Sequence, residues 1–276
     1  MSAIEWQKEA EEGLARVPFL LRPLVRRKVE ELVTQAGGSL VTAQDFARAE
    51  EKYRALKGGR SDQELAAMLP AENRPGTPLV VVEACRHELA GCPNALLNLE
   101  PWRRAVEEWL ARDNVSERLR AKVADDKILF HHKLRIALSG CPNGCSRPQI
   151  ADLALVGTVH PQFDAAACTA CGACAEACPD GAIQVADTAL WSAAACQGCR
   201  TCHTTCPAEA VTLDPPGARI LLAGKLGRHP HLAAEVAQVA TPAEAVAVLR
   251  EAVEAYLAEG QPGERFAAWW LRTRGR

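Results

Sequence analysis

Twelve cysteines are the main chemical resource of this 276-residue chain. They fall into three sets of four: Cys85, Cys92, Cys141 and Cys145; Cys168, Cys171, Cys174 and Cys178; Cys196, Cys199, Cys202 and Cys206. None is left over. In a reducing compartment so many thiols bind metal rather than pair as disulfides, and four thiolates each would serve three [4Fe-4S] clusters. The second and third sets share the spacing C-x2-C-x2-C-x3-C-P, with residues 168–183 recurring 28 positions later as 196–211. Three close cysteines wrap one corner of a cubane, and the fourth, followed by Pro179 or Pro207, turns away to the other cluster. By that rule one cluster takes Cys168, Cys171, Cys174 and Cys206, and the other takes Cys196, Cys199, Cys202 and Cys178. The duplicated spacing weighs against zinc or disulfides. So much oxygen-sensitive iron points to an anaerobic or low-oxygen host.

The remaining set needs elements to bring it together. Residues 78–84 read as a buried strand that delivers Cys85. A helix over 101–112 puts Trp102, Val106 and Trp109 on one face, as core rather than as a cofactor box. In 133–139, Leu134, Ile136 and Leu138 face one way and Lys133, Arg135 and Ala137 the other. One face therefore packs in a core, and the other offers two cations near the turn Cys141-Pro-Asn143-Gly-Cys145. Residues 161–216 read as an insert with six acidic residues against one basic, Arg200. Beyond it, 219–224 reads as a strand and 231–239 and 242–258 as helices. The second of these helices has Thr241 as cap, Pro242 at N1 and Glu244 at N3.

The N-terminal part reads differently. Residues 1–60 form a small helical domain, with Ile4, Ala10, Leu14 and Val17 as a loose stripe before Pro18. A second helix over 20–36 carries Leu24, Val25, Val29 and Leu32 and stops at Gly37-Gly38. A third starts at Thr42, with Asp45 close to a capping box. Residues 61–77 are a linker with one short helix capped by Ser61. The expected fold class is α+β, with a module of residues 78–160 and 217–276 interrupted by the insert.

Three resemblances follow from these residues. The repeat resembles two-cluster ferredoxins, which implies one-electron transfer between neighbouring clusters. Trp6-x2-Glu9-Ala10-Glu11-x2-Leu14-x2-Val17-Pro18, with Arg26-Arg27, resembles the small helical domain of light-independent protochlorophyllide reductase, which implies a docking module. The third is Cys85, Cys92-Pro93, Gly140-Cys141-Pro142-Asn143-Gly144-Cys145, Arg147-Pro148-Gln149-Ile150-Ala151-Asp152 and Gly157, continuing as Ala223-Gly224-Lys225-Leu226-Gly227-Arg228-His229-Pro230. It resembles the catalytic module of siroheme-dependent sulfite and nitrite reductases, whose dissimilatory members carry a ferredoxin insertion at this place.

That resemblance implies that Cys145 bridges a four-iron cluster and a siroheme iron, for six-electron reduction of sulfite or nitrite. Siroheme carries eight carboxylates and needs cations. The candidates are Lys133, Arg135 and Arg147, which are also candidates for substrate, and Arg86, Asn143, Lys225 and Arg228. His131, His132 or His229 would assist proton delivery. Two departures stand out. Cys85-x6-Cys92 has one residue more than the family pattern, and only the helical domain and linker precede Cys85 where the family has another half-domain. The siroheme site is then open, completed across a homo-oligomer, or absent. In the last case the chain is a three-cluster electron-transfer protein serving a partner oxidoreductase.

A net charge of −2 argues against nucleic acid or an anionic membrane as partner. No apolar run approaches a membrane span, and Met1-Ser-Ala-Ile-Glu-Trp6 lacks a signal-peptide pattern. The expected location is cytoplasmic, and the expected partners are an electron donor and a small oxyanion.

Overall fold

The structure, a computed structural model, describes residues 4–17, 22–57, 69–86 and 91–275. The short helix expected from Ser61 lies outside them. The chain divides into two compact units, Met1–Leu69 and Pro70–Arg276.

In the first unit β1 (Glu5–Trp6), α1 (Lys8–Ala15), α2 (Arg22–Gln35), β2 (Leu40–Val41) and α3 (Ala43–Lys57) follow one another. β1 and β2 pair in parallel. The helices bury Ala10, Leu14, Val29, Val33 and Phe46. Leu32, expected on the stripe of α2, is instead 37% exposed. The core-facing row runs from half-buried Val25 to buried Val29 and Val33 at i, i+4 spacing, and tertiary packing chose it over the i+3 alternative. Thr42 and Asp45 cap α3 reciprocally: the Asp45 carboxylate accepts from Thr42 N at 3.0 Å, and Thr42 Oγ1 accepts from Asp45 N at 3.3 Å.

The second unit opens with β3 (Ala71–Glu72), β4 (Val80–Ala84), α4 (Glu100–Arg112), α5 (Val115–Arg120), β5 (Lys127–Ile128), β6 (Leu134–Ser139) and β7 (Leu153–Thr158). Six short elements follow: β8 (Pro161–Phe163), α6 (Ala173–Glu176), β9 (Ile183–Val185), β10 (Ala189–Trp191), α7 (Thr201–Thr205) and β11 (Val211–Leu213). The unit closes with β12 (Gly217–Leu222), β13 (Ala234–Val239), α8 (Pro242–Glu259) and α9 (Phe266–Thr273). The fold class is α+β.

One five-stranded sheet, in the order β13-β12-β7-β6-β4, organises this unit. β4, β6 and β7 are parallel, and β12 is antiparallel to β7 and β13. Thr158 at the end of β7 faces Gly217 at the start of β12, so residues 159–216 leave and rejoin the sheet between two neighbouring strands. On one face Ile136, Leu138, Leu153, Leu155, Ile220 and Leu222 join Trp102 and Trp109 of α4, Leu249 and Val253 of α8 and Trp269 of α9. Burying each such aliphatic side chain stabilises by about 1.5–3 kcal/mol. The other face is buried too, through Ala137, Ala154, Val156 and Leu221, so the face of β6 expected to offer two cations near the cysteine turn is covered.

Residues 234–239 form a strand where the sequence pattern predicts a helix. β12 carries fully buried Ile220 and Leu222, and without a neighbour its backbone would form an unpaired edge. β13 pairs with it along its length and adds Ala237 and Val239 to the core. Tertiary pairing thus overrides the helix preference of the alanines. The Thr241 and Glu244 capping box forms as expected. No helix among the described residues is long and apolar enough to cross a membrane.

A polar knot anchors the approach to β4. Glu117 of α5 accepts from Gly76 N at 2.9 Å and from both sides of the Arg120 guanidinium. Arg120 also donates to Asn73 Oδ1 and to the Thr77 carbonyl, each at 2.7 Å. The Arg120 hydrogen bond, then that from Gly76, holds the Glu117 carboxyl down at about 2, against an ordinary value of 4.5. A pKa depressed by folding contributes stability that is present above the unfolded value and lost as pH falls through the folded one. Urea midpoints of the wild type should therefore fall from about pH 4.5 towards 2. Glu117→Gln should show a smaller fall across the same window, and equal slopes would show that this carboxylate is not the group responsible.

Candidate iron–sulfur site

The parallel pairing of β4 and β6 makes Cys85 and Cys141 leave the sheet at the same end. Cys85 N donates to Leu138 O at 2.8 Å, and Gly140 N donates to Cys85 Sγ at 3.2 Å. The Gly140 carbonyl accepts from Leu96 N and Leu97 N at 3.0 and 3.1 Å, which holds the segment after Cys92 against the same turn. Gly144, at φ +63°, lets the chain reverse between Cys141 and Cys145. Asn143 Nδ2 donates to Cys145 Sγ at 3.1 Å.

The Cys141 sulfur feels the other three of its set. Burial pushes the Cys141 thiol up, and the charges of Cys85, Cys145 and Cys92 add to the shift. Crowded thiolates that accept N–H donors are the donor set a cationic four-iron group requires, so the residues present fit such a cluster. Cys145 is exposed while its three partners are half-buried.

From Cys145 the chain crosses over one face of the sheet to β7. Ser146 and Ser139 share a buried hydrogen bond of 2.6 Å, and a Cβ on Gly144 would meet Gln149 Nε2 at 2.9 Å. Gln149 O accepts from Ala233 N, and Gly224 N donates to Ala151 O, each at 2.8 Å. The loop 223–233, which bears Lys225 and Arg228, therefore lies against the segment that packs on the cysteine turn. Arg147, Arg228 and Arg86 are exposed, and Lys225 is half-buried.

Two predicted cations go elsewhere. Lys133 sits at the opposite end of β6 from Cys141. Six strand residues at roughly 3.3 Å each put about 20 Å between the two ends. Lys133 is buried and lines a cavity of about 60 Å³ with His131, His132, Asp152, Tyr256 and Arg265. Arg135 is on the crossover face, but it pairs with Glu83 at 2.8 Å, with both side chains largely buried, and donates to Ile150 O at 3.3 Å. It fastens the crossover to β4 rather than pointing at an open site. Alternation placed both cations on one face of a strand, which is a statement about direction and not about height along the strand. Glu83 is a positioning residue that the sequence pattern did not single out; the one signal was a lone carboxylate in the apolar run Val80-Val-Val-Glu83-Ala.

In 161–216 one cavity is lined by Cys168, Cys171, Cys174 and Cys206, and a second by Cys178, Cys196, Cys199 and Cys202. The sets interleave because the fourth cysteine of each run crosses to the other half. Burial pushes Cys202 up to about 11 and raises Cys174 as well, whereas backbone donation from Ala173 lowers exposed Cys171. His203 is exposed, and its ring bonds the Val211 carbonyl.

A mixed sheet with four cysteines at or beyond one end, and eight more lining two cavities in an excursion beside it, has the donor set of an iron–sulfur protein. The family model for the nitrite and sulphite reductase 4Fe-4S domain matches residues 82–273, and the chain belongs to that family of oxidoreductases. Residues 6–49 match the model for the proto-chlorophyllide reductase 57 kD subunit. The coenzyme F420-dependent sulfite reductase of Methanocaldococcus jannaschii is 46% identical over 54 residues, 20% of this chain and 9% of that protein. One subunit of the anaerobic sulfite reductase of Salmonella typhimurium is 38% identical over 52 residues, 19% of this chain and 15% of that one. The chain thus spans a small part of the curated relatives it matches. The crystal structure of dissimilatory sulfite reductase I superposes on 70% of this chain and 49% of its own, with a TM-score of 0.45 and 20% identity.

Proposed function

We propose that this chain is the cluster-bearing module of a sulfite or nitrite reductase, with three [4Fe-4S] clusters and a siroheme seated at Cys145. The convergence of Cys85, Cys92, Cys141 and Cys145 at one end of the sheet, with only Cys145 exposed, carries this reading. When bound, the clusters supply one-electron steps and the siroheme supplies the iron at which a small oxyanion is reduced. The chain's own residues do the rest. Asn143 and the Gly140 amide donate to thiolate sulfurs and hold their charge. Arg147, Lys225 and Arg228, on the crossover and the loop beside it, supply cations for carboxylates or oxyanion, and Arg86 follows Cys85. The interleaved cysteine sets of 161–216 act as a two-cluster ferredoxin domain that passes electrons from an external donor.

Anaerobic purification from cells able to make siroheme, followed by acid–acetone extraction and an absorbance spectrum, tests this. The expected result is a released tetrapyrrole together with iron and sulfide for three clusters. Three clusters with no extractable pigment would sink the reductase reading.

A further inference from the structure

The two halves of the cysteine repeat are not equivalent, and two of the positions at which they differ lie in the loop between the first and third cysteines of each run. With the 28-residue offset, Ala170 corresponds to Gly198 and Gly172 to Arg200. All four residues have positive φ, at 51°, 73°, 81° and 65° respectively. In the first half the glycine stands where the left-handed backbone favours it, and a Cβ there would meet nothing within 4 Å. In the second half an arginine occupies that conformation, at a backbone cost that glycine avoids.

Contacts outside the repeat explain both exchanges. A Cβ on Gly198 would collide with Thr158 Oγ1 and lie 2.8 Å from the Val159 carbonyl, and Gly198 O accepts from Val159 N at 3.1 Å. Only glycine lets this loop lie on the end of β7. Arg200 reaches across to donate from Nη2 to the Pro93 carbonyl. Pro93 adjoins Cys92, and Arg200 adjoins Cys199. Arg200 is also the one lysine or arginine among residues 161–216. Its cation therefore stands between Cys199 of the insert and Cys92 of the set Cys85, Cys92, Cys141 and Cys145, joined to both by covalent bonds and one hydrogen bond.

We propose that Arg200 is a positioning residue for electron transfer, holding the set Cys178, Cys196, Cys199 and Cys202 against the Cys92 turn so that electrons leave the insert through that set. The inference rests on the reading of these sets as four-iron clusters. The step is one electron from the reduced insert cluster to the oxidised cluster of Cys85, Cys92, Cys141 and Cys145; no bond is made or broken, and the electron comes from a low-potential one-electron donor. The other set, with exposed Cys171 and an open loop at Gly172, is the side that receives it.

Arg200→Gly tests this well, because it installs the residue that the first half uses at the same backbone angle and so relaxes the fold. Arg200→Lys keeps the charge without the planar fork. Gln197→Ala removes another contact of the same loop, the 2.7 Å bond from Arg219. Anaerobic holoprotein of each would be reduced by a flash-generated donor, and the arrival of the electron at the cluster of Cys85, Cys92, Cys141 and Cys145 followed by rapid-freeze EPR. Thermal stability and iron content would be measured in parallel. The expected result for Arg200→Gly is full iron, undiminished thermal stability and a transfer rate lower by about tenfold, equal to about 1.4 kcal/mol in the barrier. Arg200→Lys should be intermediate, and Gln197→Ala within about twofold of wild type, well under that step. A wild-type rate in Arg200→Gly with full iron would overturn the proposal, as would an equal slowing in Gln197→Ala. Wild-type protein with iron for only two clusters would instead remove the acceptor and overturn the cluster reading beneath it.

Discussion

Cys145→Ser, prepared without oxygen, should lose any magnetic coupling between a bound tetrapyrrole and the neighbouring cluster, while the clusters of 161–216 stay reducible. The reason is positional. Cys145 is the exposed member of its set, and its sulfur takes a side-chain donor from Asn143 rather than a buried backbone one. A hydroxyl in its place is a poorer iron ligand and cannot hold the same charge. Partners outside the ligand shell commonly carry 10–100-fold in metal affinity or activity, so under the proposed function, with Cys145 as the bridge, its loss should lower sulfite or nitrite reduction by more than about a hundredfold. Low-temperature EPR with and without dithionite reads the coupling directly. Coupling that survives the substitution would show that another residue is the bridge.

A second large effect should come from a methyl group. Gly157 lies in β7, paired with Ala218. A Cβ there would stand 2.5 Å from Gly140 O and 2.9 Å from Leu97 Cβ. Gly140 precedes Cys141, and its carbonyl accepts the two bonds that hold the Cys92 segment. Gly157→Ala must therefore shift the backbone of one cysteine turn and loosen another. Overpacking costs about 1–3 kcal/mol, and two weakened hydrogen bonds add about 1 kcal/mol each. With three clusters, as proposed, the expected product is folded protein with about two-thirds of the wild-type iron, keeping the spectra that belong to residues 161–216 and losing those of the set Cys85, Cys92, Cys141 and Cys145. Full iron with an unchanged spectrum would show that the turn accommodates the methyl group.

The parts of this molecule legible in the sequence are those whose signal is local. Thr42 with Asp45 and Thr241 with Glu244 announce two helix starts within four residues. Trp102, Val106 and Trp109 mark a core face because helical geometry alone sets their spacing. The parts that were not legible depend on a neighbour. Residues 234–239 are a strand because β12 needs an edge partner, and Leu32 gave way to Val33 because packing selected one of two nearly equivalent rows. Lys133 and Arg135 are expected together near the cysteine turn, yet Lys133 precedes β6 and is buried in a distant cavity, and Arg135 is neutralised by Glu83.

The cysteine sets show the same division. The sequence alone suggests the grouping into three fours with the fourth cysteine exchanged between the halves of the repeat, and the two cavities of 161–216 are lined in that interleaved order. Ligand spacing is short-range, and a duplicated spacing has few physical explanations. Only the tertiary structure decided which half lies against the Cys92 turn. That choice is made by a bond between residues 107 positions apart, Arg200 and Pro93, and by the room that Gly198 leaves for Thr158. No local pattern encodes such a contact; it arises when β7 and β12 pair and return the insert to the end of the sheet where Cys85 and Cys141 emerge.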